Sequence, residues 1–315
     1  MTRSAETTGW PELWRGSVNA WECDELGHFN VRFYLAKMAE AVGNLAELSG
    51  LSPVLRADVA ATLIPRDIHI RFLAEAHPGA PLFIEGGFLD MRDCEADAIF
   101  VMRHAGSGKP AASFRVTLSH TDPTTGHDFA WPQRFTDRAG ALCVDRPDFA
   151  APRGIDPATP PGEASLAKAD RMALEAIGRG RFTHAEMDAF GRLRAEFLLG
   201  RVSDSVTNFT TAFPEEAEVH ARGGGRIGSV LLECRIRPLR WPRTGDGFVI
   251  RSGLRSAGPK VRNLVHWVLE PATGKPWWTM EGVAAPMDLD ARKLIVIDAE
   301  TQAKVAAATR PDLAP

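Results

Sequence analysis

The chain has 315 residues, 44% of them apolar and 24% charged, an ordinary globular composition on a length comfortable for two domains. A net charge of −3 builds no field that favours nucleic acid or an anionic membrane surface, and no run approaches the roughly 20 apolar residues of a membrane helix. The four cysteines, Cys23, Cys94, Cys143 and Cys234, are scattered without a C-x-x-C pair, so they read as isolated thiols of a reducing compartment and not as metal ligands or a disulfide framework.

Residues Met1–Gly9 are polar, with no apolar stretch of signal-peptide length, so the expected location is cytoplasmic. Residues 1–12 read as a flexible arm. Leu13 to Trp21 reads as a first strand, ending in the acidic turn Glu22-Cys23-Asp24-Glu25-Leu26-Gly27-His28. From Asn30 the period changes: Phe33, Tyr34, Met38, Ala41, Val42, Leu45 and Leu48 recur at three- and four-residue steps, which predicts a helix. Asn30 suits its N-cap and Gly50 its stop, and apolar residues around most of its circumference predict an enclosed helix. Four strand candidates follow, at 60–73, 81–91, 98–104 and 111–120, with turns at His77-Pro78-Gly79 and Gly106–Pro110. A helix followed by antiparallel strands is an α+β layer pattern.

Residues 121–165 are Pro-rich and aperiodic and read as a linker. Beyond it the first half recurs. Glu186-Met187-Asp188-Ala189-Phe190-Gly191 lines up with Glu22–Gly27 at an offset of 164, which also places Phe197 opposite Phe33. Gly245–Ile250 repeats Gly79–Ile84, and Gly274-Lys275-Pro276 repeats Gly108-Lys109-Pro110, both at 166. A near-constant offset over separated patches marks a tandem duplication. The expected layout is a domain at 13–125, a linker at 126–170, a degenerate repeat at 171–300 and a tail at 301–315.

The order strand, D-x-x-G-H-x-N, long enclosed helix, antiparallel sheet resembles the hotdog-fold acyl-CoA thioesterases, within them the 4-hydroxybenzoyl-CoA thioesterase-like branch. The resemblance covers 13–120 and, more weakly, 175–290. It implies a curved sheet wrapped around each helix, two such units pairing side by side within one chain, and sites in the seam; further homodimerisation stays open. It implies an acyl-CoA substrate, with coenzyme A entering only as part of that substrate and no other cofactor or metal. Asp24 becomes the catalytic carboxylate, as nucleophile or general base, after Gly27 is set in the turn. Helix N-terminal amides, best Val31, would polarise the thioester carbonyl. His28 would orient substrate or a carboxylate, and Asn30 would cap the helix and touch substrate or water. The repeat departs from this pattern, with Arg192 in place of His28 and Arg194 in place of Asn30, which points to a dead site or one adapted to the anionic part of CoA.

Other residues carry weaker readings. Glu22, two residues before Asp24, would share its face in an extended segment and raise one carboxyl pKa. Glu40 on the helix is a second acid to test. His69, His104 and His266 lack ligand-spaced partners, and Gly223-Gly224-Gly225 lacks the context of a dinucleotide fingerprint. Arg66, Arg71, Arg103 and Arg115 could meet CoA phosphates. The rival functions are a hotdog hydratase or dehydratase, which usually carries D-x-x-x-x-H where the gap from Asp24 to His28 holds only three residues, and a non-catalytic acyl-thioester binding protein.

Overall fold

The computed structural model of the chain describes residues 9–24, 26–51, 53–216, 227–288 and 290–315. Most of the expected arm, residues 1–8, and the glycine run 223–225 lie outside them. Two compact units emerge: Met1–Ala151 with Met187–Leu199, and Pro152–Glu186 with Gly200–Pro315. No helix among the described residues is long and apolar enough to cross a membrane.

In the first unit β1 (Glu12–Ser17) is followed by α1 (Val31–Leu48), then β2 (Thr62–Phe72), β3 (Pro81–Met91), β4 (Glu95–His104) and β5 (Pro110–Thr121). The strands form one antiparallel layer in the order β1-β3-β4-β5-β2. Helix α1 lies against β1 and β3 and buries Tyr34, Leu35, Met38, Ala41, Val42, Leu45 and Ala46. Its ends obey the sequence signals. Asn30 Oδ1 accepts from Arg32 N at 2.9 Å, and Gly50 takes the left-handed conformation, φ +83°, that a C′ residue needs. The first strand is shorter than expected, because the Asn19 carbonyl closes a 3-10 turn at Ala20–Glu22 instead.

The second unit repeats the layer as β7-β10-β9-β8-β6. These are β6 (Glu175–Arg181), β7 (Ile227–Pro238), β8 (Gly247–Ala257), β9 (Arg262–Leu269) and β10 (Pro276–Asp288), with the short β11 (Lys293–Leu294) on β10. The duplication extends to irregularities. The β1–β3 register shifts between Glu12 and Trp14, and β6–β8 between Ala176 and Gly178. Likewise β3–β4 shifts between Phe88 and Asp90, and β8–β9 between Leu254 and Ser256. Asn44 Nδ2 donates to the Leu13 carbonyl at 2.6 Å, and Asn208 Nδ2, 164 residues on, donates to Ile177 at 2.9 Å.

Three further features shape the units. The second helix, α4 (Glu196–Ser203), has eight residues against eighteen in α1. The run Ser203-Asp204-Ser205-Val206-Thr207 replaces the alanine-rich middle of α1, and its short polar side chains compete for the backbone: Ser205 Oγ donates to the Arg201 carbonyl at 3.0 Å. Within 121–165, the Pro-rich segment carries α2 (Gln133–Ala139) with Phe135 and Ala139 buried; a further helix, α3 (Leu166–Arg171), follows. The tail, 301–315, packs on the second unit. Helix α5 (Ala299–Ala307) buries Val305, Leu313 is buried, and Trp267 Nε1 donates to the Ala314 carbonyl at 3.1 Å.

Candidate active site

The turn between β1 and α1 is built by one carboxylate oxygen. Asp24 Oδ1 accepts from Leu26 N and from His28 N, both at 3.0 Å, a side-chain mimic of a backbone turn. Asp24 N donates to the His28 carbonyl at 2.9 Å, and Gly27 N to the Asp24 carbonyl at 3.0 Å. Gly27 adopts φ +75°, a conformation costly for a residue with a Cβ. Asp24 is half-buried, and its Oδ2 accepts no hydrogen bond among the described residues.

The same turn recurs at Asp188. Its Oδ1 accepts from Phe190 N at 2.8 Å and from Arg192 N at 2.9 Å, and Gly191 takes φ +71°. The difference lies in the second oxygen. Arg192 Nε and Nη2 reach Asp188 Oδ2 at 3.1 and 3.0 Å, a two-point clamp that His28 does not place on Asp24. Residues 187–199 belong to the first compact unit, and Phe197 from this segment receives the Arg32 guanidinium at 4.0 Å and that of Arg194 at 5.0 Å.

The start of α1 is strapped to the turn. Asn30 N donates to the Glu22 carbonyl, and Phe29 N to that of Ala76, both at 2.9 Å. Of the first amides of a helix, which have no intrahelical acceptor, Asn30 takes two: Arg32 N by its side chain and Phe33 N by its carbonyl. Val31 N–H is left with no acceptor among the described residues.

Glu22 differs from its expected role. It sits in a 3-10 turn, not an extended segment, and is buried. Lys37 Nζ reaches its Oε1 at 3.0 Å, while Asn19 N and Nδ2 donate to Oε2 at 3.0 and 3.1 Å. Burial pushes its pKa up, but the Asn19 amide, the Lys37 ammonium and the Asn19 side chain outweigh this and hold it below the ordinary carboxylate value. Glu22 is therefore a fixed anion that anchors the turn to α1, not a raised general base. The second repeat keeps the device, with Glu186 paired to Arg201 at 2.5 Å. Burial first, then the charges of Asp24 and Glu22, push the Cys23 thiol up, so Cys23 is no thiolate nucleophile.

Glu40, with its side chain 55% exposed, accepts from Trp14 Nε1 and lies 3.7 Å from Lys37 Nζ, the cation that also pairs with Glu22. The four strand arginines are engaged in the fold: Arg66 with Asp128 and Ser119, Arg71 with the Phe149 and Ala151 carbonyls, Arg103 with Glu85, Arg115 with Asp97. The sequence reading overlooked Glu75 and His77, on the β2–β3 loop. His28 Nε2 lies 3.7 Å from Glu75 Oε2, and His77 Nε2 lies 3.9 Å from the same oxygen. They are the one set among the described residues placed to hold a metal ion. The Glu75-x-His77 spacing was the only local signal, and it lies far along the chain from His28.

The thioesterase-like superfamily model matches residues 18–149 and again 182–305. No curated protein sequence matches the chain. Among solved structures, a protein designated an oleoyl thioesterase from Lactobacillus plantarum superposes with TM-score 0.66 at 11% identity, covering 88% of this chain and 97% of its own. An acyl-ACP thioesterase from Bacteroides thetaiotaomicron gives 0.62 at 10% identity, covering 86% and 96%. A 12:0-ACP thioesterase from Umbellularia californica gives 0.61 at 10%, covering 87% and 93%. At such identities these likenesses speak for the fold, two hotdog domains in tandem, as the sequence resemblance implied. The two-fold match of the family model goes further: this chain is a member of the thioesterase-like superfamily.

Proposed function

We propose that the protein hydrolyses an acyl-CoA to a carboxylic acid and free CoA at the Asp24 turn of the first repeat. The observation that carries the reading is the pairing, among the described residues, of an Asp24 carboxylate oxygen that accepts no hydrogen bond with an amide that finds no acceptor, Val31 N–H. They lie on the two sides of one strapped turn. The thioester carbonyl oxygen rests on Val31 N–H, where the helix dipole adds partial positive charge. Asp24 either takes the proton of a water that attacks the carbonyl carbon or attacks it directly to give an anhydride that water opens. Both routes load the same oxyanion, which the preorganised amide stabilises by roughly 3–4 kcal/mol. Collapse of that oxyanion breaks the C–S bond, giving the acid on the water route or the anhydride that water then opens on the direct route, and the thiolate leaves without needing a strong general acid. The chemistry calls on no redox group or metal.

His28 shapes the mouth of the site through its backbone and ring, and Asn30 reserves Val31 N–H by occupying its neighbours. The Asp188 turn, its second oxygen clamped by Arg192, takes no part in bond making. A second reading, an acyl-ACP substrate, is favoured by the two neighbours whose names carry that carrier.

The test exploits the N1 position. Proline is tolerated there because its missing N–H has no helical partner, and Asn30 already holds φ −65°, ψ 136°, the conformation a residue before proline prefers. Val31→Pro therefore deletes the proposed donor while sparing the helix. Thiol release from a panel of acyl-CoAs and acyl-ACPs should fall about 100- to 1,000-fold with the melting temperature nearly unchanged. Unchanged turnover would remove Val31 from the mechanism. Tight acyl-CoA binding by the native chain without thiol release would favour the binding-protein alternative.

A further inference from the structure

The geometry points to a divalent transition-metal site, suited to Zn2+, formed by His28 Nε2, Glu75 Oε2 and His77 Nε2 at the rim of the Asp24 turn. The three ligand atoms lie within 4.8 Å of one another, with the two imidazole nitrogens 3.7 and 3.9 Å from the shared carboxylate oxygen. Zinc bonds of about 2.1 Å in a tetrahedral arrangement place ligand atoms about 3.4 Å apart. The two imidazole–carboxylate separations are a few tenths of an ångström from that spacing, and the two imidazoles, within 4.8 Å of each other, close the rest by turning side chains that are 16, 32 and 46% exposed for His28, Glu75 and His77.

An independent observation concerns the far side of His77. Its Nδ1 lies 3.1 Å from the Gly27 carbonyl. A carbonyl only accepts, so Nδ1 is the donor, and it is Nε2 that is turned toward Glu75 and His28, as a metal ligand must be. A backbone carbonyl holding the remote N–H is the usual outer support of a metal-binding histidine. The loop is also preset. Ala76, between the two loop ligands, is buried and accepts from Phe29 N, and Gly79 N donates to the Val18 carbonyl at 2.8 Å. The ligands therefore sit on two segments already hydrogen-bonded to each other, which lowers the ordering cost of binding.

Two imidazoles and one carboxylate favour zinc and its neighbours over Mg2+ or Ca2+, which prefer all-oxygen sets. In the second repeat the matching positions are Arg192, Trp241 and Arg243, which offer no ligand, so the stoichiometry is one ion per chain. Bound there, the ion ties the catalytic turn to the β2–β3 loop and takes His28 away from the substrate mouth.

The test is a titration of the full-length chain with Zn2+ alone, in competition with a chromogenic chelator, with Co2+ as a spectroscopic probe. Expected are one ion per chain at micromolar or tighter affinity, no competition by equimolar Mg2+, and a visible Co2+ band of low coordination number. Glu75→Gln and His77→Ala should each weaken binding at least tenfold while leaving the melting temperature in chelator unchanged. No uptake at 100 µM Zn2+, or uptake that both variants retain, overturns the site. Because the readout is metal and not thiol, the result stands apart from that of the hydrolysis assays.

Discussion

Asp24 and Asp188 form the same turn with the same first oxygen, which turns the duplication into an internal control. Asp24→Asn keeps Oδ1 and therefore the bonds from Leu26 N and His28 N, and gives up only the charge and basicity at the second oxygen. Its stability cost should stay under about 1 kcal/mol, the scale of one net hydrogen bond. Asp24→Ala loses both acceptor contacts, at about 0.5–1.5 kcal/mol each, so about 1–3 kcal/mol. If the carboxylate performs the chemistry, both variants lose turnover to the same degree, at least about 100-fold, which is about 2.7 kcal/mol of barrier. Asp188→Asn also keeps its Oδ1 bonds but breaks the Arg192 clamp; it should cost about 1 kcal/mol of stability and leave turnover within twofold. The assays are thiol release under saturating and limiting substrate, and urea unfolding of each variant. Turnover that follows the stability loss, with Asp24→Asn near native and Asp24→Ala impaired, would make Asp24 a turn builder only. Equal losses at Asp24→Asn and Asp188→Asn would refute the asymmetry drawn from the Arg192 clamp.

Other outcomes follow from the surrounding groups. Lys37→Met leaves the Glu22 carboxylate buried without its cation and should cost about 3 kcal/mol at pH 7, read by urea unfolding. Glu22 has its pKa lowered in the fold, so this pair stabilises above the unfolded carboxylate pKa and the penalty shrinks as the pH falls through the folded value. His266, buried beside Ser252 Oγ at 2.7 Å, has its pKa driven by burial down to about 4. It is neutral in both states above about pH 6.5; below that the unfolded chain takes a proton the folded one refuses, and on the order of 3 kcal/mol is lost by pH 4. Replacing Ser252 and His266 by Gly and Phe, the residues at Gly86 and Phe100 in the first repeat, should flatten that slope in unfolding measured from pH 4 to 7. Asn30→Ala removes the helix cap, which should cost about 1 kcal/mol and lower kcat more than it raises KM.

The parts of the fold legible in the sequence are those governed by local rules. Strand β3 begins at Pro81 just after the Gly79 turn, and α1 is bounded by the Asn30 side-chain cap and by the left-handed backbone that Gly50 admits. Where a local rule had a competitor, the reading slipped. Asn19 diverted the first strand into a 3-10 turn, and this turned Glu22 from a partner of Asp24 into the counter-ion of Lys37. The repeat was visible from glycines and aspartates because those residues meet backbone demands that both copies share. The shortened α4 was not, since Ser205 and its neighbours act by competing for carbonyls one at a time. The clamp on Asp188 was half legible: the exchange of His28 for Arg192 stands in the sequence, but not that the guanidinium turns back onto the carboxylate. Glu75 and His77 were out of reach, because their meeting with His28 depends on how the β2–β3 loop hydrogen-bonds to Phe29 and Val18.

Asn30 has an effect larger than that of an ordinary cap. An uncapped helix end offers a fringe of protons over which an electrophile can slide, so its seat is blurred by several ångströms. By silencing Arg32 N and Phe33 N, Asn30 leaves, among the described residues, the Val31 proton addressable at this helix start. In the proposed mechanism, the position of the substrate carbonyl and the register of α1 then become one coordinate, and whatever shifts the helix by a fraction of a turn detunes the chemistry without touching a reacting group.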